Sequence, residues 1–161
     1  MVDKVRIEGI KRCGELARVS LTHASPLEEF FPAFLRTLTR SRINMNLFVG
    51  REKEEGIQFT CCVTSAEGRW VGELVDNMTG QRGDAESHHP VDLISIFPHR
   101  FNLKVLGMSL MALARAQVPM YGICSSLSAL TFITDQTHSD KALAVLKESL
   151  ALPAEQSGVP C

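Results

Sequence analysis

The chain has 161 residues, of which 45% are hydrophobic and 22% charged, with a formal net charge of -1. That is enough apolar material for the core of one ordinary domain or two small ones. The near-neutral balance gives no electrostatic reason to expect nucleic acid or an anionic membrane as a partner, and the longest apolar region, residues 105–120, is interrupted by Ser109, Arg115 and Gln117 and is too short and polar to span a bilayer.

The first residues, Met1-Val2-Asp3-Lys4, lack the apolar stretch of a signal peptide. Val5-Arg6-Ile7-Glu8-Gly9-Ile10 follows and alternates as a strand does. The cysteines are Cys13, Cys61, Cys62, Cys124 and Cys161, an odd set without CxxC spacing. Without a secretory signal they read as reduced thiols of a cytoplasmic protein. Cys61 and Cys62 are neighbours in a strand-like run, so their side chains diverge and cannot converge on a metal.

The chain then repeats itself. Ala17-Arg18-Val19-Ser20-Leu21-Thr22 alternates as a half-buried strand, and Val91-Asp92-Leu93-Ile94-Ser95-Ile96-Phe97 matches it, with Ser20 aligned on Ser95. Residues 26–38 predict a helix: Ser25 suits the N-cap and Pro26 the first helical position, and Phe30, Phe31, Phe34, Leu35 and Leu38 form an apolar stripe. Pro32 inside that stripe allows a later start, near Phe31. The second copy of this helix runs from about Asn102 to Ala116, and Leu35, Leu38 and Arg40 match Leu110, Leu113 and Arg115 at one constant offset.

Strands are expected next at residues 43–49 and 118–124, then at 57–63 and 129–134. Each half closes on a helix, marked by Val71, Leu74, Val75 and Met78 in one and by Leu143, Leu146 and Leu150 in the other. Trp70 is expected to pack, partly buried, on the first of these. Each half therefore reads β-α-β-β-α, and one more strand would complete a ferredoxin-like sheet. The fold class is α+β, as two βαββαβ modules. In the first half the missing strand would have to come from residues 80–85, which are poorly strand-like. The strand at Val5 either completes the second half, with the first module inserted in it, or frays on the first sheet. Residues 81–90 are the one linker-like stretch.

Val5-Arg6-Ile7-Glu8-Gly9-Ile10, Ala17-Arg18-Val19-Ser20-Leu21 and Ile43-Asn44-Met45-Asn46 together resemble the opening of the regulatory region of aspartokinases, a pair of ACT domains. Leu93-Ile94-Ser95-Ile96, the Leu-rich helix, Val118-Pro119-Met120 and the run from Cys124 to Phe132 are similar to its second ACT domain. The resemblance covers residues 4–153. It implies an interlocked pair: a first domain over residues 14–85 and a second over 90–155, completed by an N-terminal strand at 4–11. It also implies a regulatory region without its kinase domain, since only a few residues precede Val5 and no GxxxxGK[ST] loop is present.

What the resemblance implies about function is regulatory binding of a small molecule, an amino acid, by a homodimer. The ligand would sit where the loop before the first helix of one module meets the corresponding region of another, its carboxylate on the helix N-terminus. In the first module those residues are Ser25, Pro26 and Leu27 with Asn44, Met45 and Asn46; in the second they are His99, Arg100, Phe101 and Asn102 with Pro119 and Met120. Leu27 stands where the family has a glycine-bearing turn, Asn46 where it has an acid, and Pro119 where asparagine is frequent. A structural role for the first loop, and a solvated turn for the second, stand beside the ligand reading. His23, His88, His89, His99 and His138 lack HxH or HxxxH spacing, so no metal is expected. No nucleophile–base pair, paired carboxylates or cofactor loop is visible, so neither catalysis nor a cofactor is expected. The alternative to a sensor is a protein-interaction module that has lost its ligand.

Overall fold

A computed structural model describes residues 4–23, 27–53, 56–80, 83–98 and 102–153. The elements are β1 (Gly9–His23), α1 (Leu27–Arg40), β2 (Leu47–Lys53), β3 (Gly56–Thr64), α2 (Ser65–Thr79), β4 (Gly83–Phe97), α3 (Leu103–Arg115), β5 (Met120–Ser125), β6 (Leu130–Asp135) and α4 (Ser139–Ser149). They fall into two compact units: Glu15–Pro90, and Met1–Gly14 together with Val91–Cys161. The inserted unit carries its strands in the order β2-β3-β1-β4, the other in the order β1-β4-β6-β5. Both are the four-stranded, two-helix ferredoxin-like arrangement, so the fold is α+β with two ferredoxin-like modules.

Two elements differ from expectation. Residues 5–10 and 17–22 are expected as separate strands; residues 9–10 and 17–22 belong to one 15-residue strand, β1, and residues 5–8 precede it, with a single bridge from Arg6 to Ala151. Residues 81–90, expected as a linker, are strand from Gly83 onward, because β4 runs through Pro90 without interruption. Local composition pointed to a loop, but the open edge of a sheet supplies backbone partners regardless of side-chain propensity. The strand expected at residues 43–49 starts later, at Leu47, and helix α1 includes Pro32 within its span.

Each unit has its own core. In the inserted unit Val19 and Leu21 of β1, Phe30, Phe34 and Leu38 of α1, Phe59, Cys61 and Val63 of β3, and Val71 and Val75 of α2 bury together. Phe59 lies between the rings of Phe34 and Phe48, with centroids 5.4 and 5.7 Å away. The second core gathers Ile7, Ile94, Ile96, Val105, Leu113, Leu130, Phe132, Ala142 and Leu146. Residues 5–8 are tied to this unit by backbone bonds: Ile7 N–H donates to Ala151 O, Ala151 N–H to Val5 O, and Glu8 N–H to Phe97 O, each at 3.0 Å.

The duplication extends to backbone geometry. Helix α1 ends with Ile43 N–H donating to Leu38 O, and α3 with Val118 N–H donating to Leu113 O, both at 3.0 Å. The residues just before, Arg42 (φ 57) and Gln117 (φ 53), are both left-handed. This is the six-to-one closure that usually takes glycine; a residue with a Cβ pays about 1 kcal/mol for it. Likewise Ser20 and Thr60 face each other across β1 and β3 with their hydroxyls 2.9 Å apart, as Ser95 and Thr131 do across β4 and β6 at 2.8 Å.

Strand β1 and helix α2 approach closely because Gly68 has no side chain. A Cβ there would stand 2.3 Å from the Cβ of Ala17. Gly68→Ala is expected to destabilise the chain by about 1–3 kcal/mol. In an Ala17→Gly background the same change should cost markedly less, giving a coupling energy in a urea-unfolding double-mutant cycle. Additive costs would mean that the backbones separate freely at this point.

Candidate functional site

The expected ligand residues occupy two ends of each module. Ser25 and Pro26 in the inserted unit, and His99, Arg100 and Phe101 in the other, lie outside the described residues. Leu27 begins α1, and Asn44, Met45 and Asn46 follow its far end. Asn44 and Asn46 are exposed; Met45 packs on the core, and Asn46 N–H donates to Cys62 O at 2.8 Å. In the second unit Asn102 caps α3, its side chain accepting from Lys104 N–H at 2.9 Å. Pro119 and Met120 follow the other end of that helix, where Pro119 O accepts the Thr134 hydroxyl at 2.7 Å. Helices of this length span about 20 Å. Leu27 and residues 44–46 therefore stand at opposite ends of α1, and Asn102 and residues 119–120 at opposite ends of α3.

Opposed charges meet elsewhere in the second unit. Asp92, fully buried, holds the Arg12 guanidinium, with Oδ2 2.6 Å from Nε. Arg12 also donates from Nη1 to Asp140 Oδ1 at 2.8 Å, at the start of α4. Asp92 Oδ1 is buried and has no hydrogen-bond partner among the described residues. Gly14 leaves room for it: a Cβ at that position would come within 3.3 Å of this oxygen. Sequence alone carries half of this signal. Asp92 shares the alternation of Ile94 and Ile96, so it must be buried and must find a cation. Arg12, a distant residue on another strand, has no local sign of that role.

A second cluster follows β6. Asp135 accepts from the Thr137 hydroxyl and, at 2.8 Å, from Thr137 N–H, with the Tyr121 hydroxyl 3.4 Å from its other oxygen. The Thr137 hydroxyl bond is the leading cause that holds the Asp135 carboxyl below its ordinary range; burial opposes it. Two thiols, Cys61 and Cys124, are of the inert kind. Burial, reinforced by neighbouring Cys62, pushes Cys61 up to about 12, and burial also raises Cys124. Among the described residues no cluster of three His, Cys, Asp or Glu could hold a metal, and no helix is long and apolar enough to cross a membrane.

Three cavities lie within single units. One of about 330 Å³ in the second unit is lined by Arg6, Ile7, Glu8, Pro98 and Pro153. Another of about 330 Å³ in the inserted unit lies between β1 and the start of α2, against Ala17, Val19, Gly68 and Arg69. A third, about 280 Å³, has Met108 and Met111 of α3 as its floor and Lys4, Arg115 and Glu148 at its rim. Arg6 and Glu8 stand outside the positions that the sequence suggested. Their only local sign is alternation around Ile7, which is 2% exposed.

Two ferredoxin-like modules, one inserted in the sequence of the other, define the class by its fold. Solved structures with this fold include the regulatory subunit of aspartate kinase from Thermus flavus, at a TM-score of 0.75 and 16% identity, covering 89% of this chain and 98% of that one. The ligand-free regulatory subunit from Thermus thermophilus gives 0.74 and 14%, covering 90% and 99%. The E. coli aspartokinase III complex with lysine and aspartate gives 0.66 and 12%, covering 93% of this chain and 34% of that enzyme. No protein-family model matches the chain, and no curated protein matches its sequence.

Replacing Arg12 by Met strands the buried Asp92 carboxylate. The expected cost is about 2–4 kcal/mol, below the largest values for broken buried pairs because Arg12 is 36% exposed. Adding Asp92→Leu should recover much of it, whereas Asp140→Ala alone should cost under about 1 kcal/mol. Urea midpoints read all three; an Arg12→Met midpoint equal to wild type would remove the pair from the stability account.

For Asp135 the sign is fixed by its lowered pKa. Its contribution is present above the unfolded carboxylate pKa and is lost as pH falls through the lower folded value. Thr137→Val should move the Asp135 titration, followed by carboxyl NMR, upward toward the ordinary range and shrink that acid-side loss. An unmoved titration would exclude the threonine as cause.

Proposed function

We propose that the chain is a non-catalytic regulatory module that binds a small molecule, an amino acid, and works as a homodimer in the cytoplasm. One observation carries this reading. The chain is nearly coextensive with proteins described as regulatory subunits of aspartate kinase, 98% and 99% of whose lengths it covers. A related aspartokinase has been solved with lysine and aspartate bound, which supports amino acids as the ligand class. The open sheet edges β2 and β5 of the two units, with Phe48 and Ile123 exposed on them, support self-association.

Regulation requires that the ligand favour one state of the protein or its partner over another. Helix termini and backbone groups supply the attraction for a carboxylate. A second reading, a protein-interaction module without a ligand, has its own support. Leu103 and Met111 of α3 are 79% and 53% exposed, an unusual cost for a helix face with no partner.

A thermal-shift screen of the proteinogenic amino acids separates the two. An amino acid at a hundredfold its dissociation constant should add about 2.7 kcal/mol of stability. Silence across the panel at millimolar concentration, with capture of a distinct polypeptide from native extract, would overturn the sensor in favour of the interaction module.

A further inference from the structure

Helix α3 turns an apolar face outward. Its buried side is Val105, Ser109 and Leu113. At about 3.6 residues per turn, Leu103, Gly107, Met111 and Ala114 share the opposite side. Leu103, Met111 and Ala114 are exposed, and a Cβ at Gly107 would meet nothing within 4 Å. The fold does not require such a face. Helix α1 is the duplicate of α3, and it buries the matching positions Phe30, Phe34 and Leu38. At the same offset, the positions of α1 that correspond to Leu103, Gly107, Met111 and Ala114 are Glu28, Pro32, Arg36 and Thr39. The two copies thus differ on the side that takes no part in either core, where apolar side chains stay in water unless a partner covers them.

This face has a basic margin. Lys104 and Arg115 are the only charged residues of α3, and both share the flank of the helix on which Met108 lies. On that flank is the cavity of about 280 Å³ between α3 and the end of α4, floored by Met108 and Met111, with Lys4 and Arg115 at its rim. Glu148 is the one acid of that lining. Lys4, Lys104 and Arg115 are exposed, and none of them forms an ion pair among the described residues.

We propose that this face docks an acidic amphipathic helix of a partner polypeptide. Its apolar side lies on Leu103 and Met111 and enters the methionine-floored cavity, and carboxylates along one edge meet Lys4, Lys104 and Arg115. Thioether side chains re-pack readily around an incoming apolar group, and a helix laid in a groove is a recurring mode of peptide recognition. Charge complementarity selects this occupant. The α3 face of a second copy would bring two more cations and no acid to pair with them. The proposal deepens the interaction reading above by naming the surface and the chemistry of the partner, and it does not depend on an amino-acid ligand.

The test presents the full chain to a displayed library of helical peptides, with leucine fixed along one face and Glu, Lys, Gln and Ala allowed elsewhere. Selection should enrich Glu beside the leucines, and selection on Lys104→Glu/Arg115→Glu should enrich Lys there instead. For the tightest peptide, Leu103→Gln/Met111→Gln should weaken binding about tenfold or more, whereas Arg36→Gln on α1 should leave it unchanged. These positions are exposed, and circular dichroism checks that the variants remain folded. Enrichment without a charge preference, or affinity that survives the loss of Leu103 and Met111, would overturn the proposal. So would a wild-type dimer that Leu103→Gln/Met111→Gln turns into monomer in sedimentation equilibrium, or anionic vesicles that bind the wild type and not that variant. A natural polypeptide held equally by wild type and variant, with no peptide selected, would remove this surface and leave the interaction reading intact. Absence of any polypeptide partner would overturn both.

Discussion

A β-α-β-β-α segment leaves its first strand with an open edge that nothing in the same segment can cover. The backbone donors and acceptors on that edge must be paired or left to water, and a buried unpaired group costs as much as a lost hydrogen bond. Here β1 and β4, 15 residues each, meet this constraint. The boundary between units falls inside both, after Gly14 and after Pro90. One stretch of each strand opens a module and the other closes a sheet. Glu15, at φ 58, interrupts the extended run of β1 beside that boundary. The same boundary sets the buried pair, because Gly14, on the last residue before it, makes room for Asp92 while Arg12 reaches the carboxylate from two residues earlier.

Much of this was legible in the sequence because duplication is a long-range signal. Ser20 and Ser95 aligned before any strand pairing was known, and both turn out to bond a threonine across the sheet. Leu38 and Leu113 aligned as core residues and also prove to be the carbonyls that close their helices. What could not be read was the conformation of Arg42 and Gln117, since neither is the glycine that marks a left-handed helix end. Residues 83–90 failed for a different reason. Their composition is that of a turn, and their strand state comes from an edge supplied by residues far away in sequence.

The site was less legible than the fold. Pattern and resemblance favoured the loops that open α1 and α3, yet several of those residues lie outside the described chain, and those that are described sit at opposite ends of their helices. Asp92 illustrates what periodicity can reach. It marks a buried carboxylate, and therefore a cation, without saying which.

Distance then decides what kind of recognition either module can support alone. A free amino acid is far shorter than the roughly 20 Å of α1 or α3, so it cannot touch both the loop before the helix and the strand after it. A ligand held within one module must find its whole set of contacts at one end of a helix. In the second unit the end with Pro98 and Asn102 is also the end that residues 5–8 reach through Glu8 and Phe97. The bonds that hold residues 5–8 to Ala151 and Phe97 also place Ile7 in the second core.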